Sequence, residues 1–172
     1  GNAVRDFSDH TILDTNPAAL ARFYSNNNAD ELIVYDLSAG DTEHEEALNI
    51  IYSICTEAEM PVFGAGNVHR MEDIKKLIYA GCKKAALNYS KEGNIRITKE
   101  VSDKFGKDKI VACISEVSEI TDNEPLLADY VEELILVKER CIKEAVAVSR
   151  FPMIVSVPEV SLDKILELLS RQ

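Results

Sequence analysis

The sequence contains no tryptophan and only 3 histidines, and its basic residues are outnumbered by its acidic residues. With 19 Lys and Arg against 30 Asp and Glu, the formal net charge is −11. That charge repels a polyanion, and no aromatic stacking platform compensates, so nucleic-acid binding is not expected. No apolar run is long enough to cross a membrane, and no signal peptide is recognisable. These features predict a cytoplasmic protein that binds neither nucleic acid nor a membrane.

Cysteine is sparse and has no clustered spacing. The 4 cysteines are far apart and form no CxxC pair, and the histidines are scattered. Metal sites use His and Cys ligands at close spacing. We therefore expect small buried hydrophobic cysteines, no metal site and no other cofactor.

What is present is an alternation of apolar strand and helix patterns. A chain of 172 residues, 46% of them hydrophobic, can bury a core of its own, and we expect one domain over residues 1–172. Strands are predicted at residues 31–38, 61–63, 84–88, 109–114, 133–137 and 152–157. Helices are predicted at residues 17–24, 43–58, 71–80, 94–105, 125–129, 138–150 and 162–170. A hairpin or arm is predicted over residues 1–15, and a loop over residues 115–123.

This β-α rhythm predicts an α/β fold with parallel strands and helices packed outside them. It fits either a doubly wound, flavodoxin-like sheet or part of a (β/α)₈ barrel. A complete barrel has eight strands and typically about 250 residues. Asp36, Gly64, Gly66 and Asn88 come at the ends of predicted strands, where parallel folds bind their ligands.

Three segments carry a more specific signal. They are ADELIVYDLSA at residues 29–39, PVFGAGNV at 61–68 and AGCKKAALN at 80–88. These segments resemble the second, third and fourth strands of the histidine-biosynthesis barrels, which include the cyclase subunit of imidazole glycerol phosphate synthase and the aminoimidazole carboxamide ribotide isomerase. The resemblance covers about residues 1–115 and is closer to the cyclase. It implies an incomplete barrel of about six strands, corresponding to strands 2–7 of the family barrel.

The resemblance also implies a phosphate-binding site for a ribotide. Glycines let the backbone approach an anion, and oriented N–H groups supply partial positive charge. The residues at matching positions are Gly64, Gly66 and Asn88. Asn67, which follows the glycine turn, is included in the predicted site, as is Ser90, a partial substitute for a neighbouring small residue. Tyr89 stands where the family carries that small residue, and we expect it to crowd the phosphate. Asp36 either orients the substrate or hydrogen-bonds the next loop; the sequence leaves both open.

The two catalytic carboxylates of the family have no counterparts in the matching part of this sequence. The family uses two carboxylates, which end its first and fifth strands, as general acid and base. The matching segment begins just after the first strand, and Ser115 stands at the end of the fifth. Glu116 follows, but neighbouring strand residues point to opposite faces of the sheet. We therefore predict no catalytic residue and no family activity for this chain as it stands.

The sequence favours two functions. One is a domain of the histidine-biosynthesis family that still holds a ribotide phosphate. The other is a non-catalytic structural or interaction module that associates with itself or with a fused or separate histidine-pathway domain, since unpaired sheet edges are usually covered. A fragment of an active enzyme is a third possibility, against which Ser115 argues. His44 and His69 are expected on the surface.

Overall fold

The computed structural model describes residues 1–5 and 7–156. Its strands are β1 (Ala3–Val4), β2 (Ile12–Asp14), β3 (Leu32–Tyr35), β4 (Val62–Ala65), β5 (Lys84–Asn88), β6 (Ile110–Ile114), β7 (Glu133–Leu136) and β8 (Met153–Val155). Its α-helices are α1 (Pro17–Asn26), α2 (Asp41–Glu57), α3 (Met71–Tyr79), α4 (Glu92–Phe105), α5 (Val117–Thr121), α6 (Glu124–Tyr130) and α7 (Ile142–Val148). Short 3₁₀ turns occupy Lys107–Lys109 and Glu139–Cys141. The helix predicted at residues 162–170 lies outside the described residues.

The main sheet is parallel and its strands follow chain order. β3 through β8 are hydrogen-bonded neighbours in the order β3-β4-β5-β6-β7-β8. A doubly wound sheet would reverse direction partway across, so that alternative is wrong. Ser156, which follows β8, and the edge strand β3 line the same groove. The two edges of the sheet therefore approach each other, which means that the sheet is curled. The predicted incomplete barrel is therefore confirmed.

Alternating side chains divide the core into two layers, as a strand period of two requires. The outer layer packs against the helices and includes Leu87, Ile110 and Ile114, all 0% exposed. The inner layer lies on the concave face, and its buried members are Ala65, Ala86, Val111, Cys113 and Ile135. Two of these five are alanines, whose small side chains leave open space above them at the mouth of the half-barrel.

The segment at residues 115–123 is helical rather than a loop. α5 spans Val117–Thr121, and its Ile120 is buried in the outer core. The Glu119 carboxylate accepts a hydrogen bond from the Ser115 backbone N–H at 2.7 Å, which satisfies a free donor before the helix. The sequence prediction failed because five residues are too few to show a helical period.

The predicted hairpin over residues 1–15 is present. β1 and β2 pair antiparallel, and the Phe7 ring in their connection packs edge-to-face on Tyr35 with centroids 4.8 Å apart. The hairpin therefore covers part of the mouth of the curled sheet. No helix in the described part of the chain is long and apolar enough to span a membrane.

Candidate functional site

A cavity of about 480 Å³ opens at the carboxyl ends of β3 to β7. Its lining includes four residues that the sequence singled out: Asp36, Gly66, Asn67 and Asn88. Two others, Gly64 and Ser90, are adjacent along the chain but do not line it. The strand ends therefore bring most of the predicted site to one place, as expected for parallel strands.

The turn after β4 presents backbone to this cavity. Gly66 and Asn67 both have a positive φ, 81° and 46°, a conformation that glycine adopts freely and asparagine tolerates. Within the described part of the chain, the backbone N–H groups of these two residues donate to no protein acceptor. Unpaired amides at a turn of this kind are suited to bind an anion.

The Asp36 carboxylate holds the loop after β3. Its Oδ1 accepts hydrogen bonds from the Ser38 backbone N–H at 2.9 Å and from the Ser38 hydroxyl at 2.6 Å. Its Oδ2 lies 2.6 Å from His44 Nδ1. Burial raises the pKa of Asp36, but the hydrogen bonds from Ser38, His44 and Asn67 outweigh it, and the pKa lies below its usual value. Both carboxylate oxygens have protein partners, which agrees with a role in holding the loop. The substrate-orienting role of Asp36 stays a prediction.

A chain of hydrogen bonds connects Asp36 to the glycine turn. Ser38 binds Asp36, and the Asn67 amide donates to the Ser38 carbonyl and hydroxyl oxygens, each at 2.8 Å. The Asn67 side chain is therefore an anchor between two loops, and only its backbone N–H faces no protein partner. Asp36 thus positions the turn through Ser38.

Asn88 and Ser90 form a compact turn after β5. Asn88 Oδ1 accepts from the Ser90 backbone N–H at 3.0 Å and from its hydroxyl at 2.7 Å. We assign the Asn94 amide orientation that satisfies both of its neighbours: its side-chain oxygen then accepts from the Asn88 backbone N–H at 2.9 Å, and its Nδ2 donates to the Val68 carbonyl oxygen at 3.1 Å. The backbone N–H of Asn88 is therefore not available to a ligand as the sequence predicted, and its Nδ2 group is the donor left without a partner among the described residues.

Gly64 and Tyr89 face away from the cavity. A Cβ on Gly64 would lie 2.8 Å from both Leu77 and Cys82, so this glycine is needed for packing against α3. The Tyr89 side chain is 2% exposed and its hydroxyl lies 3.0 Å from Thr98 Oγ1. Burial raises the pKa of Tyr89 to about 12. The expected crowding of the phosphate by Tyr89 is wrong, because the ring packs into the outer core.

Three residues at or behind the site were missed by the sequence reasoning. Lys91 is the one lysine or arginine among the described residues that line the cavity, and it is exposed. Asn94 is 1% exposed and joins the loops after β4 and β5. His44, expected on the surface, has a side chain only 15% exposed because it binds Asp36. Of the three, only Asn94 could have been found from the sequence, because it is a polar residue on the apolar face of α4.

The far side of the cavity carries Ser115, at the end of β6. The next residue, Glu116, lies 2.7 Å from Lys138 and also pairs with Arg140, and it is not part of the lining. The cavity therefore combines the unpaired backbone N–H groups of Gly66 and Asn67 and the Lys91 ammonium group with the Asp36 carboxylate, which is hydrogen-bonded within the protein. Among the described residues, no three His, Cys, Asp or Glu side chains cluster as metal ligands would.

Comparison with known protein families gives a match over most of the chain. A family model described as "Histidine biosynthesis protein" matches residues 1–149. This range contains β1 to β7 and every residue of the candidate site. The match and the parallel, curled sheet agree, and we conclude that the chain belongs to the histidine biosynthesis protein family.

Proposed function

We propose that this chain is a cyclase-like member of its family that binds the phosphate of a ribotide at the carboxyl ends of β4 and β5 without supplying the acid-base carboxylate pair. The observation that carries the proposal is the convergence of Gly66, Asn67, Asn88 and Lys91 on one cavity. The resemblance of residues 29–39, 61–68 and 80–88 to the cyclase supports the finer assignment.

The donors around the cavity suit an oxyanion. The unpaired N–H groups of Gly66 and Asn67 supply partial positive charge from the backbone. Asn88 Nδ2 has no partner among the described residues, and Lys91 adds a full positive charge. The Asp36 carboxylate is ionised, but both its oxygens are engaged by Ser38 and His44, so it repels a bound phosphate less than a free carboxylate would.

The absence of a catalytic role is supported by the strand ends. The family places its second carboxylate at the end of the strand that corresponds to β6, where this chain has Ser115. Glu116 is held by Lys138 and Arg140 outside the cavity. General acid-base catalysis needs a carboxyl group within hydrogen-bond reach of the substrate, and Glu116 does not meet that condition. The proposed role is therefore to hold a phosphorylated ligand.

Binding of a ribotide with phosphates at both ends, measured by calorimetry, tests this proposal. Lys91→Ala removes the one ammonium group of the lining, and a hydrogen bond to a charged group contributes about 1.5–3 kcal/mol. We expect the dissociation constant to rise by about 10- to 100-fold. Lys104→Ala is the matched control, since Lys104 is exposed near the other end of the same helix, and it should bind as the unmodified chain does. Equal binding by both variants would contradict the assignment of Lys91.

A structural or interaction role is a second proposal, supported by the edges of the sheet. Among the described residues, β3 and β8 each have only one strand neighbour, and a mostly apolar groove of about 710 Å³ runs beside β3. Unpaired strand edges readily pair with other chains. Self-association through these edges is the simplest form of this role.

A further inference from the structure

Two free thiols face each other behind the sheet, on the side away from the cavity. Cys55 lies near the end of α2, and Cys82 lies two residues before β5 begins. Their sulfur atoms are 3.9 Å apart. Cys82 is 4% exposed, whereas Cys55 is only partly buried. Cysteines 27 positions apart in the chain are therefore placed together by the packing of α2 against the sheet.

Two glycines make this approach possible. Gly81 has a φ of 104°, and a Cβ at that position would lie 2.9 Å from Cys55 Cβ. A Cβ on Gly64 would lie 2.8 Å from Cys82 Sγ. A side chain at either position would displace the cysteine that it meets, so the packing of the pair depends on both glycines.

The two thiols are not equivalent. A hydrogen bond with Cys82 lowers the pKa of Cys55, while the same hydrogen bond and burial raise the pKa of Cys82. The thiolate is the nucleophile in thiol oxidation, so Cys55, which also has more access to solvent, is the group that reacts first. By contrast, burial raises the pKa of Cys113 to about 11, and Cys141 is 5% exposed.

We propose that Cys55 and Cys82 are an oxidation site that closes to a reversible disulfide in the presence of a hydroperoxide. The Cys55 thiolate attacks one peroxide oxygen, forming an S–O bond as the O–O bond breaks and hydroxide leaves. Cys82 then attacks the Cys55 sulfur, forming the S–S bond as the S–O bond breaks. Hydrogen peroxide takes up two electrons, and the two thiol protons end in the two water molecules released.

The geometry requires only a small movement. A disulfide has an S–S distance of about 2.05 Å, so the sulfur atoms must approach by about 2 Å from their present 3.9 Å. Cys82 Sγ lies against Gly64, which pairs with Ala85 in the β4–β5 ladder, so a movement of this sulfur changes the packing there. Since Gly64 lies two residues before Gly66, we expect oxidation to change the environment of the turn at the cavity.

Peptide mapping of the intact chain after treatment with a small excess of hydrogen peroxide tests the proposal. We expect a linked peptide pair containing Cys55 and Cys82, a mass loss of about 2 Da for the two hydrogens removed, and full reversal by dithiothreitol. Cys113 and Cys141 should remain free thiols. Amide NMR of the oxidised chain should show shifts at Gly64 and Gly66.

Single variants separate the two steps. In Cys82→Ser, Cys55 should stop at the sulfenic acid and be trapped by dimedone; in Cys55→Ser, Cys82 should show no such adduct. Cys141→Ser is the control, and it should still form the linked pair. The proposal is overturned if no Cys55–Cys82 link forms in the folded chain, or if Cys113 and Cys141 oxidise as fast as Cys55. This experiment is independent of ribotide binding, so either proposal can fail alone.

Discussion

Gly66 and Asp36 lie backbone against backbone at the mouth of the half-barrel. A Cβ on residue 66 would be 2.1 Å from the Asp36 carbonyl oxygen, and the Asp36 N–H donates to Ala65 at 2.7 Å. The ends of β3 and β4 are therefore fixed against each other, with no room for a side chain between them. This contact holds the unpaired amides of the turn in place.

Gly66→Ala should damage both the turn and the fold. The new methyl group clashes with Asp36, and the positive φ disfavours alanine, so we expect a loss of more than about 1 kcal/mol in the free energy of unfolding. Urea denaturation measures it. Gly93→Ala is the control: Gly93 lies in the first turn of α4 with nothing within 4 Å of its Cβ position, and alanine there should leave stability equal or higher. Equal stability of the two variants would contradict the close approach.

The Asp36 hydrogen bonds predict a dependence of stability on pH. Because the folded-state pKa of Asp36 is lowered, this group stabilises the fold above its ordinary pKa of about 3.9, and that contribution is lost as pH falls through the folded-state value. Asp36→Asn should lower stability at neutral pH and flatten the acid limb of the stability curve. Asp103→Asn, at an exposed position paired with Lys99, should change neither by a comparable amount. Identical acid limbs for Asp36→Asn and the unmodified chain would sink this prediction.

An ion-pair cluster lies at the amino ends of β5 and β7, and we expect it to stabilise the fold. Lys84 is 14% exposed, lies 2.8 Å from Glu132 and also pairs with Glu133. Burial lowers the pKa of Lys84, but the hydrogen bonds to both glutamates outweigh it and the pKa is raised. We expect Lys84→Met to lower the free energy of unfolding. Breaking a surface ion pair costs about 1 kcal/mol and breaking a buried pair costs about 3–5 kcal/mol, and the loss here should fall between these values.

The control for Lys84→Met is Arg96→Met, which removes an exposed pair with Glu92 on α4. Exposed pairs of this spacing contribute about 0.3–0.5 kcal/mol. Chemical denaturation at low and high salt compares the two variants. A Lys84→Met variant no less stable than Arg96→Met would show that the cluster is not stabilising.

Self-association through the sheet edges is a fourth prediction. Ile12 and Leu13 in the hairpin are 53% and 54% exposed, and the groove beside β3 is mostly apolar. Sedimentation equilibrium should show mass above that of a monomer as concentration rises. Leu32 and Asp36 donate their N–H groups to acceptors on the β4 side, so alternation places the Ile33 N–H on the unpaired edge. Ile33→Pro removes that donor and should reduce association, with folding checked by circular dichroism. A strict monomer at high concentration would count against the interaction role.

Much of the fold follows from residue patterns in the sequence. The buried runs that became β3 to β8 are continuous and apolar, and their spacing along the chain identified parallel β-α units. Strand order could not be read from those runs, because doubly wound and barrel sheets use the same units. The resemblance at residues 29–88 favoured the barrel, and the sequential pairing confirms it.

The candidate site was only partly predictable. Asp36, Gly66 and Asn88 were found because they stand at the ends of predicted strands, and Asn67 was found through the family resemblance. The direction of Tyr89 and the packing role of Gly64 depend on which face of the strand each residue occupies, and this is set by neighbouring helices rather than by local sequence. The contact of His44 with Asp36 joins a helix to a strand end, and no local pattern signals such a pair.

Amide NMR titration with a ribotide that carries phosphates at both ends, and with sulfate as control, is the most direct test of the proposed phosphate site. We expect saturable shifts at Gly66 and Asn67 and in the Asn88 side-chain amide, with weaker shifts in sulfate. Residues at the opposite end of the sheet, such as Lys84, should not respond. No shifts at millimolar ligand would contradict phosphate binding and leave the interaction role as the function of this chain.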